Sequence, residues 1–391
     1  MWQECKALQP YITEIRRSLH QIPELEYKLP ETQAFVCAEL DKLGLEYTKN
    51  TTDSGIIGMI KGGKPGKTVL LRADMDALPI KEATGLEFSS KHEGLMHACG
   101  HDTHMAMLLG ALKVLAAHKD ELTGNVKFVF QTAEEISKGA QVAVKEGALE
   151  GVDAVFGMHI GSILGPSIPS GTLSVVPGCS MASFDRFVIT VKGNGCHGST
   201  PEKGIDPVTI ASNIVLSLQE IIAREIPGTK PSVLTIGMIN GGFAYNVIPS
   251  EVKIEGTIRA IEEPVRQQLA KRIGEISQNI ASAFRGSVDY LMDWGAPPVI
   301  NDKEMAALAA RAARNVLGES FVRDHEEAPN MGGEDFAYYL AEKPGAFMFL
   351  SSADHAKHTD CPHHNPKFMV DEDVLYKGSS LFVAIVEEYL K

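Results

Sequence analysis

The run Met96-His97-Ala98-Cys99-Gly100-His101-Asp102-Thr103-His104 places one thiol and three imidazoles within nine residues. Cys99 and His101 offer a soft and a borderline donor two residues apart, and side chains two apart on extended backbone point the same way. A catalytic metal site needs a few N, S and O donors and one open coordination position. Glu134-Glu135 supplies two carboxylates that irregular backbone can aim at different targets, one as a ligand and the other free as a general base. His159, Asp74 and Asp76 each follow an apolar run, and Cys361-Pro362-His363-His364-Asn365-Pro366 adds two histidines, either of which could complete the set. Taken singly, each feature has a bland explanation: a His-rich loop, an acidic helix start, a structural histidine at a strand end. Their convergence on one rim is what argues for a metal. His97 and His104 read as packing or supporting residues. Asp102 is expected to cap a helix starting near Thr103, whose positive end would favour the Cys99 thiolate.

Elements that could bring these groups together are visible in the pattern. Helices are expected over Pro10 to Leu19 and over Glu31 to Leu43, the second ending at Gly44. Thr68 to Leu71 reads as a strand running into Asp74 and Asp76. Val126 to Phe130 runs into Glu134-Glu135, and Ala154 to Phe156 into His159. Helical patterns over Met105 to Ala117 and Lys138 to Glu146 lie between them. This alternation predicts an α/β fold with a largely parallel sheet, whose strand ends bind ligands. From Ala182 the pattern changes. Asp185 to Lys192, Asp206 to Arg224, Ser232 to Ile239, Glu251 to Ala260, Glu263 to Phe284 and Ser287 to Met292 read β-α-β-β-α-β, the order of a small ferredoxin-like α+β sandwich. The α/β pattern returns with a helix from Asn301 to Leu317, a strand from Ala346 to Ser351 and a closing helix from Asp373 to Leu390. The expected domains are therefore 1–181 with 294–391, discontinuous, and an insertion at 182–293.

The 391 residues suit two domains, and 44% hydrophobic with 22% charged residues is ordinary for a globular protein. A formal net charge of -13 opposes phosphate backbones and anionic lipid, so no nucleic-acid or membrane partner is expected. Without a leader pattern or a membrane-length apolar run, a cytoplasmic protein with six reduced cysteines is expected.

Cys99-Gly100-His101-Asp102, Glu134-Glu135, Gly157-Met158-His159, His364-Asn365-Pro366 and the inserted domain together resemble the M20 peptidase family. Within it the chain is most similar to the amidohydrolase branch of N-acyl-amino-acid deacylases, hippurate hydrolases and auxin-conjugate hydrolases. The likeness extends to Leu19-His20-Gln21-Ile22-Pro23-Glu24, Arg72 to Pro79, Gly195-Cys196-His197-Gly198, Asn246-Val247-Ile248-Pro249, Gly256-Thr257-Ile258-Arg259 and Gly332-Gly333-Glu334-Asp335-Phe336. The resemblance implies two divalent ions per subunit, zinc or manganese first and cobalt or nickel next, on Cys99, His101, Glu135, His159 and His364. It makes Glu134 the general base and Asp76 a carboxylate that orients a ligand. His364 is preferred to His363 because the family's last ligand directly precedes a small residue and Pro. Other branches place a His ligand where Asp74 stands, and lack the thiolate. The inserted domain resembles the family's lid and dimerisation domain, implying a homodimer or higher homo-oligomer. It implies that His197 polarises the scissile carbonyl and that Asn246 and Arg259 hold the substrate carboxylate. Cys196 departs from the Gly-Gly-His expected there. The implied reaction is hydrolysis of an N-acyl-L-amino acid. The rivals are a dipeptidase or aminopeptidase-like enzyme and a metal- or ligand-binding protein without catalysis.

Overall fold

Runs such as Val69-Leu70-Leu71 and Ala154-Val155-Phe156 are apolar on successive residues, which suits strands covered on both faces. In the computed structural model, which describes residues 1–325 and 328–391, these residues are fully buried in a mixed eight-stranded sheet. Its strands are β1 (Glu46–Lys49), β2 (Ile56–Lys61), β3 (Lys64–Asp74), β4 (Thr123–Gln131), β5 (Ala154–Gly161), β6 (Leu173–Ser174), β7 (Val322–Arg323) and β8 (Gly345–Ser351). The spatial order is β1-β2-β4-β3-β5-β8-β6-β7. The central four, β4-β3-β5-β8, are parallel throughout. Parallel pairing puts their C-terminal ends on one edge, with Asp74 opposite Gln131 and Gly161 opposite Ser351. The sequence reading did not foresee β1 and β2, which extend one side antiparallel.

Helices α1 (Gln9–His20), α2 (Pro30–Lys42), α3 (His101–Ala117), α4 (Lys303–Leu317) and α5 (Leu375–Tyr389) pack with the sheet around one apolar core. Gly44 ends α2 at φ +65°, the left-handed conformation a closing glycine supplies. At the other end of α2, Glu24 accepts from the N–H groups of Glu31 (3.3 Å) and Thr32 (2.9 Å). Most of α3 is buried on every side, as a helix apolar all round must be. It starts at His101 rather than near Thr103, after Gly100 at φ +90°. Asp102 is not its cap: the carboxylate is turned into the core, 2.8 Å from Arg16 Nε and 2.7 Å from His20 Nδ1.

The chain divides into two compact units, Met1–Ser180 with Ile300–Ala328 and Asp335–Lys391, and Met181–Val299 with Pro329–Glu334. The second unit holds a four-stranded antiparallel sheet in the order Ser232–Gly241, Glu251–Ala260, Asp185–Lys192, Ser287–Asp293. Burial alternates along Asp185–Lys192, so one face is apolar, and the helices Pro207–Glu220 and Glu263–Ala283 share its core. Strand order and connections are those of a ferredoxin-like sandwich.

Candidate metal centre

Three loops leave the C-terminal edge of the first unit's sheet, and short backbone hydrogen bonds tie them together. After β3, the N–H of Ala77 donates to Glu24 O (2.8 Å). After β4, Ala133 takes φ +54°, a sparsely populated region for a residue with a Cβ, and its N–H donates to Glu26 O (3.0 Å). Asp76 then accepts from the N–H of Glu134 on one oxygen (3.0 Å) and of Glu135 on the other (3.1 Å). One buried carboxylate thus sets the position of both glutamates. After β8, His364 sits at φ +61° with its N–H on Ala98 O (2.8 Å), which brings it beside Cys99.

Five groups of three donor residues lie close enough to hold an ion among the described residues, one of them Asp74, His101 and His104, and two of the five share Cys99. Cys99, His101 and His159 have ligand atoms within 4.8 Å of one another, and so do Cys99, Glu135 and His364. Cys99 belongs to both. His101 Nδ1 donates to the carbonyl of Asp76 (2.7 Å), leaving Nε2 facing Glu134 and Glu135, each at 3.8 Å. His159 Nδ1 donates to Ile160 O (2.9 Å), and its Nε2 lies 3.3 Å from Cys99 Sγ. His364 Nε2 lies 3.3 Å from Glu135. His101 Nε2 and Glu135 Oε1 are buried without a hydrogen-bond partner among the described residues. Such orphans are costly unless something positive or hydrogen-bonding fills the space between them. The S, N, N and S, O, N donor sets fit two divalent ions sharing the thiolate.

Electrostatics agree. Burial disfavours the imidazolium of His101, but Asp74, Asp76 and Glu135 outweigh it and raise the pKa to about 10. Burial, then Glu135 and Glu134, hold the Cys99 thiol well above its ordinary range. Burial beside two carboxylates thus opposes the help that the start of α3 gives the Cys99 thiolate, and a bound cation would relieve that opposition. Asp74 is occupied elsewhere, by Arg72 and by His104 Nδ1 at 2.5 Å. His363 is turned away from the donor groups and bonds Ile160 O (3.1 Å).

In the second unit, His197 and Val247 are paired in a two-residue ribbon, and Gly198 N–H donates to Asn246 O (2.8 Å). The structure thus brings His197 and Asn246 together on an exposed turn. His197 Nδ1 accepts from the N–H (3.1 Å) of Ser199 and lies 2.8 Å from its hydroxyl, so the ring carries its proton on Nε2. Arg259 lies on a different strand, its guanidinium 4.1 Å over the Phe184 ring. Its Nη1 is buried without a partner among the described residues, and burial lowers its pKa. This is no surface salt bridge; it is a half-buried cation with capacity to spare.

Sequence reasoning gave no role to Arg16, His20 or Arg72. Arg72 joins Asp74 to Asp335 (2.9 Å) across the sheet edge, and Asp335 accepts from Gln131 and from the N–H of Ala140 (2.9 Å). The motifs Leu19 to Glu24 and Gly332 to Phe336 were the available signal. The 351–364 loop is solvated at His355 but anchored by Thr359 to Ser352 O (2.7 Å) and by Ser162 to Cys361 O (2.8 Å). Cys196 Sγ lies 3.6 Å from Thr200 O, and nothing else in the structure explains it.

Residues 70–388 match the model of peptidase family M20/M25/M40. An N-acetyl-L-cysteine deacetylase of Bacillus subtilis is 40% identical over 375 residues, 95% of this chain and 86% of the relative. An IAA-amino acid hydrolase of Arabidopsis thaliana, ILR1-like 5, is 41% identical over 381 residues, 96% and 86%. Among solved structures, the Bacillus subtilis YXEP protein, described as a dinuclear metal binding peptidase from the M20 family, superposes with a TM-score of 0.83 at 34% identity. That likeness covers 98% of this chain and 99% of the other.

Proposed function

The chain belongs to peptidase family M20/M25/M40 and is a hydrolase of amide bonds, and from that premise we propose that it removes the acyl group from N-acyl-L-amino acids. The observation that carries the reading is a second carboxylate beside a double donor cluster: Glu134 and Glu135 leave one backbone junction, and only Glu135 belongs to the Cys99 groups. A closed structural site needs no such base.

In this reading Cys99, His101 and His159 hold one ion, and Cys99, Glu135 and His364 the other, with zinc or manganese the first to test. Two divalent ions there would supply Lewis acidity and a water acidic enough to lose its proton near neutral pH. Glu134 takes that proton and returns it to the leaving amide nitrogen. Asp76 orients both glutamates and the backbone carbonyl that His101 needs. His197, with Nδ1 occupied by Ser199, offers its Nε2–H to the developing oxyanion. Asn246 and the spare capacity of Arg259 hold the substrate carboxylate, which a guanidinium matches in shape and charge. The named relatives support an amino acid on one side of the bond and leave the other side open, N-acetyl in one name and IAA in the other.

The inserted domain, taken as 182–293, is also the proposed contact between copies. Ser232–Gly241 is an edge strand with Met238 and Ile239 about half exposed, followed by Phe243 and Tyr245 at 84% and 102% exposure. An unpaired apolar edge is a template for a second copy. None of the described helices is long and apolar enough to cross a membrane.

The deciding experiment compares N-acetyl-amino acids with dipeptides bearing a free amino terminus, using metal-loaded protein. Higher kcat/KM on the N-acyl substrates is expected. Preference for the dipeptides would make the protein a peptidase, and no turnover with both ions bound would make it a binding protein.

A further inference from the structure

His104 lies three residues beyond His101, outside both donor groups that contain Cys99, yet it is almost fully buried and fully hydrogen-bonded. Its Nε2 accepts from the N–H of Ile160 (3.0 Å), and its Nδ1 donates to Asp74 (2.5 Å). A backbone N–H can only donate, so the proton of this ring is fixed on Nδ1. Strand β3 pairs with β5 only as far as Arg72 and Gly157, and three residues further on the imidazole takes the Ile160 N–H instead. The other side of Ile160 is held as firmly. Its carbonyl accepts from His159 Nδ1 (2.9 Å) and from His363 Nε2 (3.1 Å). With its proton committed to that carbonyl, His159 must present a bare Nε2, and Nε2 is the atom 3.3 Å from Cys99 Sγ. The chain of contacts runs Arg72, Asp74, His104, the Ile160 backbone, His159, and every member is buried.

We propose that His104 is a positioning residue of the metal centre: through the Ile160 backbone it fixes the tautomer and direction of His159, and so holds the ion of Cys99, His101 and His159 without touching it. The proposal rests on the reading of those three residues as one ion's ligands. It gives Asp74 a function as the anchor of His104, and it predicts an unequal effect. The ion of Cys99, Glu135 and His364 meets this chain of contacts only at the shared thiolate and, one residue removed from His364, at the hydrogen bond of His363 to Ile160 O, which does not involve His104.

The test counts metal in protein stripped and refilled with Zn²⁺, using two isosteric variants. His104→Asn keeps a donor for Asp74 but its Oδ1 is too short to reach the Ile160 N–H, whereas His104→Gln can offer its Oε1 at the position of Nε2. Wild-type and His104→Gln are expected to bind two equivalents, and His104→Asn to keep one tight equivalent while the second weakens about 10- to 100-fold. In Co²⁺-loaded protein the thiolate charge-transfer band should survive in all three. Two tight equivalents in His104→Asn overturn the proposal, as do parallel losses of both equivalents in both variants. Wild-type protein that takes up no second equivalent overturns the reading of the site and the proposal with it. The ring ¹⁵N shifts of the wild-type zinc form need no variant: His104 and His159 should both be protonated on Nδ1, and a proton on Nε2 of either ring contradicts the proposal.

Discussion

Cys99, His101 and His159 are buried among groups that fix each ring and carboxylate, whereas His197, on a two-residue ribbon, and Asn246, just before its partner strand, stand exposed. The first region carries the cost of concentrated charge. Its carboxylates raise His101 to a pKa of about 10, and two of its polar atoms have no partner among the described residues. It is built for ions. The second region carries little of that cost. Ser199 fixes the His197 tautomer locally, and Arg259, its guanidinium over Phe184, keeps a nitrogen without a partner among the described residues. Changes in the first region should therefore alter metal content, stability or proton transfer, and changes in the second should leave metal content and stability alone while altering substrate binding at Asn246 and Arg259 and oxyanion stabilisation at His197.

The largest expected effect separates chemistry from metal binding inside the first region. Glu134→Gln should lower kcat by about 100- to 10,000-fold, the usual worth of a general base, with metal content unchanged in the purified protein. Near-normal turnover would remove Glu134 from the mechanism. Asp102→Asn probes the scaffold rather than the site. Burial alone would raise the Asp102 pKa, but Arg16 and His20 outweigh it and hold the carboxyl well below its ordinary range. A folded pKa below the unfolded value of about 3.9 contributes stability that is present above that pH and lost as pH falls through the folded value. At pH 7 the substitution should cost about 3 kcal/mol in denaturant unfolding, the lower end for breaking a buried pair, because Glu372 still reaches Arg16 at 3.1 Å. The gap to wild type should narrow below about pH 4; a gap independent of pH would mean that Asp102 is not ionised in the folded protein. The smallest effect belongs to the second region. Arg259→Ala should raise KM for carboxylate-bearing substrates roughly 10- to 100-fold, the worth of a charged hydrogen bond, and leave the corresponding amides and the unfolding midpoint nearly unchanged. Equal losses on acids and amides would contradict the clamp.

Much of the fold and the candidate site is legible in the sequence where information is local. Apolar runs ending in Asp74, Glu134 and His159 mark parallel strands whose ends share an edge, and alternation along Asp185–Lys192 marks a half-covered sheet. The antiparallel edge was missed because β1 is only four residues long and three of them, Glu46, Thr48 and Lys49, are polar. Asp102 was misread because its helix-start position is a local signal, whereas Arg16 and His20, more than 80 residues away, are a tertiary one. The same holds for Arg72 with Asp335, 263 residues apart. The helix start beside Cys99 is legible in the sequence, whereas the burial and the carboxylates of Glu134 and Glu135 that oppose its thiolate are tertiary. His104 and His363 were set aside as ligands, and their hydrogen bonds to Ile160 depend on a strand register that no motif spells out.

The most direct test of the central claim is a metal titration of stripped protein, with ion content and N-acetyl-amino-acid hydrolysis followed together. The account predicts no turnover without metal and full turnover at two divalent ions per chain. Full turnover in metal-free protein, or two bound ions with no hydrolysis of any N-acyl amino acid, would contradict it.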